Sequence, residues 1–261
     1  MERRAQMKSA LAGLSVALQF MTRLPIPYRG EWSPRVLQAA LLAFVPVGLL
    51  IGALLAALQA AGTAYLPRLV MDMAMLSLWI GLTGGLHLDG WMDVADASAS
   101  QGTLERRRSI LKDPHAGSFA VLALFMLLGW KLVLIDVLLQ IGQSRPISET
   151  IALWLAIPAA ARFAAVVLMH KVPPFKQEGL GWLWSRQATS RVMLLSSLWF
   201  LPLIIWQPVA LVPLAAAGLV LACYAWWCKK RFGGMNGDLT GALIEGTELA
   251  ALSAAAIWVT G

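Results

Sequence analysis

The chain has 261 residues, of which 59% are hydrophobic and only 13% are charged, with a net charge of +7. Soluble domains carry roughly 25% charged residues, so this composition excludes intrinsic disorder and argues against an ordinary water-soluble domain. We therefore predict an integral membrane protein, in which the few charged residues are informative.

The chain order of apolar stretches predicts the membrane topology. A helix needs about 20 mostly apolar residues to cross a bilayer. An amphipathic or partly buried helix is predicted at 7–22, and it precedes seven apolar stretches. These lie at approximately 36–60, 69–88, 118–139, 149–169, 192–206, 209–228 and 239–259. We predict an all-α polytopic membrane helix bundle, formed by residues 1–261 as one domain in contact with the lipid bilayer.

The basic residues predict how this bundle is oriented. Seventeen of the 21 Lys and Arg residues fall in the N-terminal segment or in loops on one side of seven spans. Cytoplasmic loops carry such an excess, so we assign the positive charge to orientation and expect no nucleic-acid partner. We predict a multi-pass protein of the inner (cytoplasmic) membrane. Its N-terminus, its long loops at 89–117 and 170–191, and its active site would face the cytoplasm.

Three aspartates follow the second apolar stretch at a regular spacing. Asp89, Asp93 and Asp96 are at positions i, i+4 and i+7, so a helix would present all three on one face. Carboxylates arranged in this way repel one another unless a cation lies between them. Mg²⁺ prefers such oxygen ligands together with substrate phosphates. We predict that these three residues bind Mg²⁺ and form the catalytic centre; the alternative is a solvated acidic face.

A second acidic group lies at the start of the last apolar stretch. Asp238, Glu245 and Glu248 would share one helix face. Charges within a membrane are costly and usually functional, so we predict that these acids take part in the site. The alternative is that the two glutamates pair with a buried base such as Arg162, which lies about 12 Å inside its span. Arg162 would then pair with an acid or bind a phosphate, and both options stay open. Lys131 is expected to snorkel or to pair structurally.

Two predicted cytoplasmic loops add polar groups. One contains Lys112, Asp113 and His115 just before a span, and the other contains Glu178 beside two glycines. The chain has no Walker P-loop, no Rossmann fingerprint and no metal-binding Cys/His set. Carboxylates, glycines and basic residues on one membrane face favour Mg²⁺-dependent chemistry on a phosphorylated substrate.

The sequence His87-Leu88-Asp89-Gly90, with Asp93 and Asp96, resembles the cobalamin synthase family, the adenosylcobinamide-GDP ribazoletransferases. The resemblance extends over nearly the whole chain. It includes 20–27 (with Arg23), Gly84-Gly85, Lys112-Asp113 with Gly117, Ala161-Arg162, Glu178-Gly179-Leu180-Gly181, and Gly233-Gly234 with Gly237-Asp238, Glu245 and Glu248. Ala97 and Pro114-His115 depart from the family pattern, and the second departure weakens any role for His115.

The resemblance implies a reaction. The 3′-hydroxyl of α-ribazole, or of α-ribazole 5′-phosphate, attacks the cobinamide-linked phosphorus of adenosylcobinamide-GDP, and GMP leaves. Mg²⁺ on the three aspartates would bridge the diphosphate, and one carboxylate would accept the hydroxyl proton. The residues expected to contact the substrates are Arg23, His87, Lys112, Asp113, Arg162, Glu178, Asp238, Glu245 and Glu248. A homo-oligomer stays open.

Two other classes compete with this interpretation. A CDP-alcohol phosphotransferase also places acids at a membrane face, but its motif needs Ala-Arg where this chain has Asp93-Val94. An ion-coupled transporter would place acids near the middle of the membrane and use both faces. Eight of the 14 acidic residues are predicted on one face, which favours an enzyme.

Overall fold

The computed structural model describes residues 2–26, 28–141 and 145–260; Pro27, which ends the opening motif above, lies outside them. Helices dominate the described part, and its one extended pairing is a bridge between Pro174 and Met235. The helices are α1 (Glu2–Met21), α2 (Pro34–Gly62), α3 (Arg68–Thr83), α4 (Leu86–Ala99), α5 (Leu104–Ile110), α6 (Ser118–Ile141), α7 (Ile147–Lys171), α8 (Gly179–Ser185), α9 (Ser190–Ser197), α10 (Phe200–Trp206), α11 (Leu211–Phe232) and α12 (Gly237–Thr260).

The predicted all-α membrane bundle is confirmed. Helices α2, α6, α7 and α12, together with α11 and the 3₁₀ turn before it, are each long and apolar enough to span a membrane. Two bent pairs, α3 with α4 and α8 with α9–α10, raise the number of spans to seven if each pair counts as one. Large apolar side chains such as Phe125, Ile205 and Leu219 point outward, as expected for contact with lipid.

The second predicted span, 69–88, is wrong at its end. Helix α3 stops at Thr83 because Gly84 and Gly85 both adopt the left-handed conformation, with φ of 64° and 72°. The chain then turns by 89° into α4. The three predicted aspartates therefore lie on a separate helix that runs across the direction of α3.

The fifth predicted span, 192–206, is also interrupted. Helices α9 and α10 are separated at Leu198 and Trp199, where backbone hydrogen bonds shorten to the i→i−3 type. Pro202 has no N–H and its ring crowds the Leu198 carbonyl, so a regular helix cannot continue through this turn.

Helix α7 forms the centre of the bundle, and its closest neighbour is α2. A Cβ atom built on Gly48 would lie 2.5 Å from Ala159 Cα, and one built on Gly52 would overlap the backbone at Trp154. The two glycines are four residues apart, so they form a small-residue stripe that lets two membrane helices approach closely. The Trp154 indole donates a 2.5 Å hydrogen bond to Gln59 Oε1 on α2.

We expect Gly48→Leu to destabilise the bundle by about 1–3 kcal/mol or more, because an overpacked core must shift its backbone. Thermal unfolding of detergent-purified protein measures this change. The matched control is Gly129→Leu on α6, where an added Cβ meets no atom within 4 Å. Equal melting temperatures for the two variants would contradict close α2–α7 packing.

Candidate active site

Helices α4 and α12 cross with their backbones in contact. A Cβ built on Gly90 would lie 2.7 Å from the carbonyl oxygen of Asp238, and one built on Gly241 would lie 3.3 Å from His87 Cα. Any larger side chain at position 90 would therefore push the helices apart. This crossing joins the two acidic groups that are about 150 residues apart in the sequence.

Three carboxylates gather at this crossing. Asp89 and Asp93 come from α4, and Asp238 comes from the first turn of α12. Asp93 experiences the negative charge of Asp89, Asp238 and Asp96, and Asp238 experiences that of Asp89. Asn236 donates a 2.7 Å hydrogen bond to Asp238 Oδ2 and caps the amide of Leu239, which fixes the Asp238 side chain. Mutual repulsion of this kind favours a bound cation.

Asp96, the third predicted metal ligand, bonds instead to the start of α6. Its two carboxylate oxygens accept hydrogen bonds from the amides of Gly117, at 2.6 Å, and Ala120, at 2.8 Å. A carboxylate at a helix N-terminus satisfies free amides and complements the helix dipole. Its assignment as a metal ligand stays a prediction, since this capping role already accounts for both oxygens.

The carboxylates at the crossing suit Mg²⁺ as part of an incomplete ligand set. Within the described residues, no three His, Cys, Asp or Glu side chains form a metal site by themselves. Mg²⁺ usually binds through one or two carboxylates, and substrate phosphates and water complete its octahedron. Asp89, Asp93 and Asp238 fit that incomplete, oxygen-only set.

Four charged side chains, those of Lys131, Arg162, Glu245 and Glu248, form a separate cluster inside the bundle. Lys131 Nζ lies 2.5 Å from Glu245 Oε2 and 2.7 Å from Glu248 Oε2, and Arg162 pairs with the other Glu248 oxygen. All four side chains are at most 5% exposed. Glu245, Glu248 and Arg162 thus form the ion pairs that the sequence left open as one option, and these groups neutralise one another because unpaired charges at this depth are costly. Their contact with the substrates stays a prediction.

A polar cavity of about 550 Å³ opens beside the carboxylates, and we call it the cationic pocket. Three basic side chains line it, those of Arg108, Lys112 and Lys176. Glu178, Asn236 and Asp238 also line it. The pKa of Lys176 is lowered, mainly because its side chain contacts that of Lys112 and to a smaller extent because it is partly desolvated. Closely spaced cations of this kind are a site for phosphate oxygens.

Backbone contacts hold this pocket open. Arg108 donates to the Phe232 carbonyl at 2.6 and 2.9 Å and stacks 4.6 Å from the centroid of the Phe175 ring. The Phe175 amide donates a hydrogen bond to the Met235 carbonyl, and the Met235 amide donates one to the Pro173 carbonyl. The loop after α7 is thereby attached to the loop before α12.

A smaller cavity of about 180 Å³ is also lined by Asp238, and we call it the aromatic chamber. Phe20, Trp184 and Ile244 line it, with Asp89 and His87 among its polar groups. His87 is 4% exposed and its Nδ1 atom has no hydrogen-bond partner among the described residues.

The remaining predicted residues occupy the periphery. Arg23 packs on Gly84 at the bend between α3 and α4, and its amide donates to the Leu82 carbonyl at 2.8 Å. Asp113 lies on an exposed loop, where hydrogen bonds from His115 hold the pKa of the Asp113 carboxyl below its ordinary value. Glu178 lies at the rim of the cationic pocket, 3.8 Å from Lys176.

The sequence analysis assigned no site role to Arg108, Lys176 or Asn236. Arg108 and Lys176 were used only in the count of basic residues that set the membrane orientation. No local sequence pattern indicates that two loops about 70 residues apart lie close together. Asn236 carried a usable signal: an Asn directly before Gly237-Asp238 and an apolar run is a helix N-cap.

Comparison with known proteins decides the family. The family model described as cobalamin-5-phosphate synthase matches residues 13–256, nearly the whole chain. The chain belongs to the cobalamin-5-phosphate synthase family. Its members include three curated relatives named adenosylcobinamide-GDP ribazoletransferase. That from Pseudomonas paraeruginosa is 38% identical and covers 96% of this chain and 100% of its own. Those from Thiobacillus denitrificans and Halalkalibacterium halodurans are 38% and 34% identical, covering 95% and 93% of this chain and 96% and 94% of theirs.

No solved structure matches the chain. The crossing of α4 and α12 in this member of the synthase family is therefore described from its own geometry. The resemblance inferred from the aspartate and glycine motifs is confirmed at the level of the family.

Proposed function

We propose that this chain is an adenosylcobinamide-GDP ribazoletransferase, an enzyme that joins adenosylcobinamide-GDP to α-ribazole or α-ribazole 5′-phosphate and releases GMP. The names of the relatives support the reaction. The observation that carries it is that carboxylates and cations meet at Asp238: this residue lines the pocket with Lys112 and Lys176, and it lines the neighbouring chamber with Asp89. Transfer of a phosphorus-linked group from a diphosphate donor needs this combination.

The residues divide the chemistry between them. Asp89, Asp93 and Asp238 would hold Mg²⁺, which when bound neutralises charge on the diphosphate. Arg108, Lys112 and Lys176 bind the phosphate oxygens and stabilise the charge that passes to the leaving group. One of the three carboxylates accepts the proton of the attacking 3′-hydroxyl. The new bond joins that oxygen to the cobinamide-linked phosphorus, and the bond from this phosphorus to the bridging oxygen breaks, so GMP leaves with that oxygen.

The test is GMP release by membranes that contain the protein, supplied with adenosylcobinamide-GDP and α-ribazole. We expect release that depends on both substrates and stops when Mg²⁺ is chelated. Absence of release from the folded wild-type protein with Mg²⁺ would refute the enzymatic assignment, and release unaffected by chelation would refute the metal.

We infer that the site faces the cytoplasm from the inner membrane. The support is the positive-inside distribution: the loop from Gln101 to Gly117 and the segment Lys229–Arg231 lie at the site end of the bundle and are rich in basic residues. The Arg107 guanidinium donates to the Arg231 carbonyl, so both segments share one end of the molecule.

Cysteine labelling tests this orientation in a background without Cys223 and Cys228. We expect Tyr65→Cys, at an 85% exposed position between α2 and α3, to react with a membrane-impermeant maleimide in intact cells. Gln101→Cys, exposed at the site end, should react only after permeabilisation. The opposite pattern would invert the topology.

A further inference from the structure

The cationic pocket and the aromatic chamber share one wall. Leu180, Gly181, Gly237 and Asp238 line both cavities. A molecule in either cavity would therefore reach Asp238, and we call this shared wall the partition. Two substrates that react with each other need such an arrangement, because their reacting atoms must approach to roughly 3–3.5 Å.

The two cavities have opposite chemistry. Basic side chains from two separate chain segments, Arg108 with Lys112 and Lys176, line the cationic pocket. The aromatic chamber has no Lys or Arg in its described lining and carries the carboxylates of Asp89 and Asp238. Lys and Arg side chains attract an anion, so the cationic pocket, and not the chamber, favours phosphate oxygens. The phosphate groups of a donor therefore belong in the cationic pocket, and a neutral group belongs in the chamber.

The walls of the chamber select for a flat, apolar group. The Phe20 and Trp184 rings lie 5.1 Å apart, tilted by 42°, and Phe44 packs behind Trp184 at 5.3 Å. Met169 and Ile244 complete the apolar lining. Aromatic rings prefer such tilted or offset surroundings, and a volume of about 180 Å³ admits one bicyclic ring system.

Two buried polar atoms are available to an occupant. Neither His87 Nδ1 nor Trp184 Nε1 has a hydrogen-bond partner within the described part of the chain, and both residues line the chamber. Buried polar atoms without a partner are uncommon, and a ligand that bonds to them would remove that cost. The chamber thus combines apolar walls with a few polar groups, as binding sites for small aromatic molecules do.

We propose that the aromatic chamber binds the aromatic base of the acceptor nucleoside, while the cationic pocket binds the diphosphate of the donor. This assignment rests on the proposed function. It orients the acceptor with its base enclosed by Phe20 and Trp184 and its ribose directed to the partition at Asp238. Because the reaction joins the ribose hydroxyl to a phosphorus in the neighbouring pocket, the partition marks the place of transfer.

Inhibition by the free base tests the proposal on the wild-type protein. Dimethylbenzimidazole, the base of α-ribazole, should inhibit GMP release competitively against α-ribazole and not against adenosylcobinamide-GDP. Competition with the donor, or no inhibition at concentrations that saturate the acceptor site, would overturn the assignment. Wild-type protein that releases no GMP would instead refute the proposed function, so the two failures differ.

Matched variants provide the second test. Phe20→Leu should raise the KM for α-ribazole at least tenfold and leave the KM for adenosylcobinamide-GDP within twofold. Lys176→Ala should do the reverse. Phe125→Leu, an aromatic change at a 73% exposed position on α6, should alter neither KM. Melting temperatures check folding, and if Phe20→Leu unfolds, Met169→Trp, which fills the chamber from another wall, must show the same α-ribazole defect. Equal effects on both KM values would contradict separate subsites.

Discussion

Replacing Asp93 by Asn is expected to lower the rate of GMP release by about 10²–10³-fold, the size of effect seen when one group that stabilises developing charge is removed. Asp93 experiences the negative charge of both Asp89 and Asp238, so an amide there removes a charge from the predicted metal site. The measurement is initial-rate GMP release at saturating Mg²⁺. Asp89→Asn and Asp238→Asn should behave in the same way.

The matched control is Asp136→Asn on α6. Asp136 pairs with Arg68 and Gln140 away from the carboxylate cluster, and its side chain is partly exposed, so loss of this charge should leave the rate unchanged. Full activity in Asp93→Asn would remove the metal assignment.

The variant Asp96→Asn distinguishes between two roles of Asp96, a cap of helix α6 and a metal ligand. If its function is to cap α6, the amide oxygen of Asn retains an acceptor for Gly117 or Ala120, and activity should fall much less than in Asp93→Asn. The melting temperature should fall modestly, since loss of a cap costs about 0.5–2 kcal/mol. A loss of activity equal to that of Asp93→Asn would identify Asp96 as a metal ligand.

Lys131→Met is expected to destabilise the protein by about 3–5 kcal/mol, the usual cost of breaking a buried ion pair by removing one partner. The change leaves the Glu245 carboxylate buried without its cation, since Lys131 is the base that contacts it in the described structure. Lys131 also lies 4.9 Å from the Trp79 ring centroid, and that contact is lost as well. Thermal unfolding in detergent measures the effect.

The double variant Lys131→Met/Glu245→Gln provides the control. It removes the stranded charge and keeps the pair between Arg162 and Glu248, so most of the lost stability should return. A single variant that melts like the wild type, or a double variant no more stable than the single one, would contradict the role of this cluster.

The sequence predicted the helices and the acids better than it predicted their partners. Apolar length alone identified the five unbroken spans, because a helix needs about 20 apolar residues to cross a bilayer. The same-face spacing of Asp89 and Asp93 was also readable, since it depends only on helix geometry. Both properties depend only on residues that are close together in the sequence, so they can be predicted without knowledge of the tertiary contacts.

The partners that the sequence did not predict come from long-range contacts. Glu248 pairs with Arg162, 86 residues away, and Asp96 caps a helix that starts 22 residues later. Nothing in the spacing of an acid distinguishes a metal ligand from an ion-pair partner or a cap. The bend at Gly84-Gly85 was visible as two glycines, but only the left-handed backbone shows that they end a helix.

Binding of Mn²⁺, followed by electron paramagnetic resonance, tests the central claim most directly. Mn²⁺ favours the same oxygen ligands as Mg²⁺ and reports on the metal without turnover. With adenosylcobinamide-GDP present and α-ribazole absent, the wild type and Asp136→Asn should bind Mn²⁺ with equal affinity, and Asp93→Asn should bind it at least tenfold more weakly. Equal affinity in Asp93→Asn, or no Mn²⁺ bound by the wild type with the donor present, would contradict a metal centre at the crossing of α4 and α12.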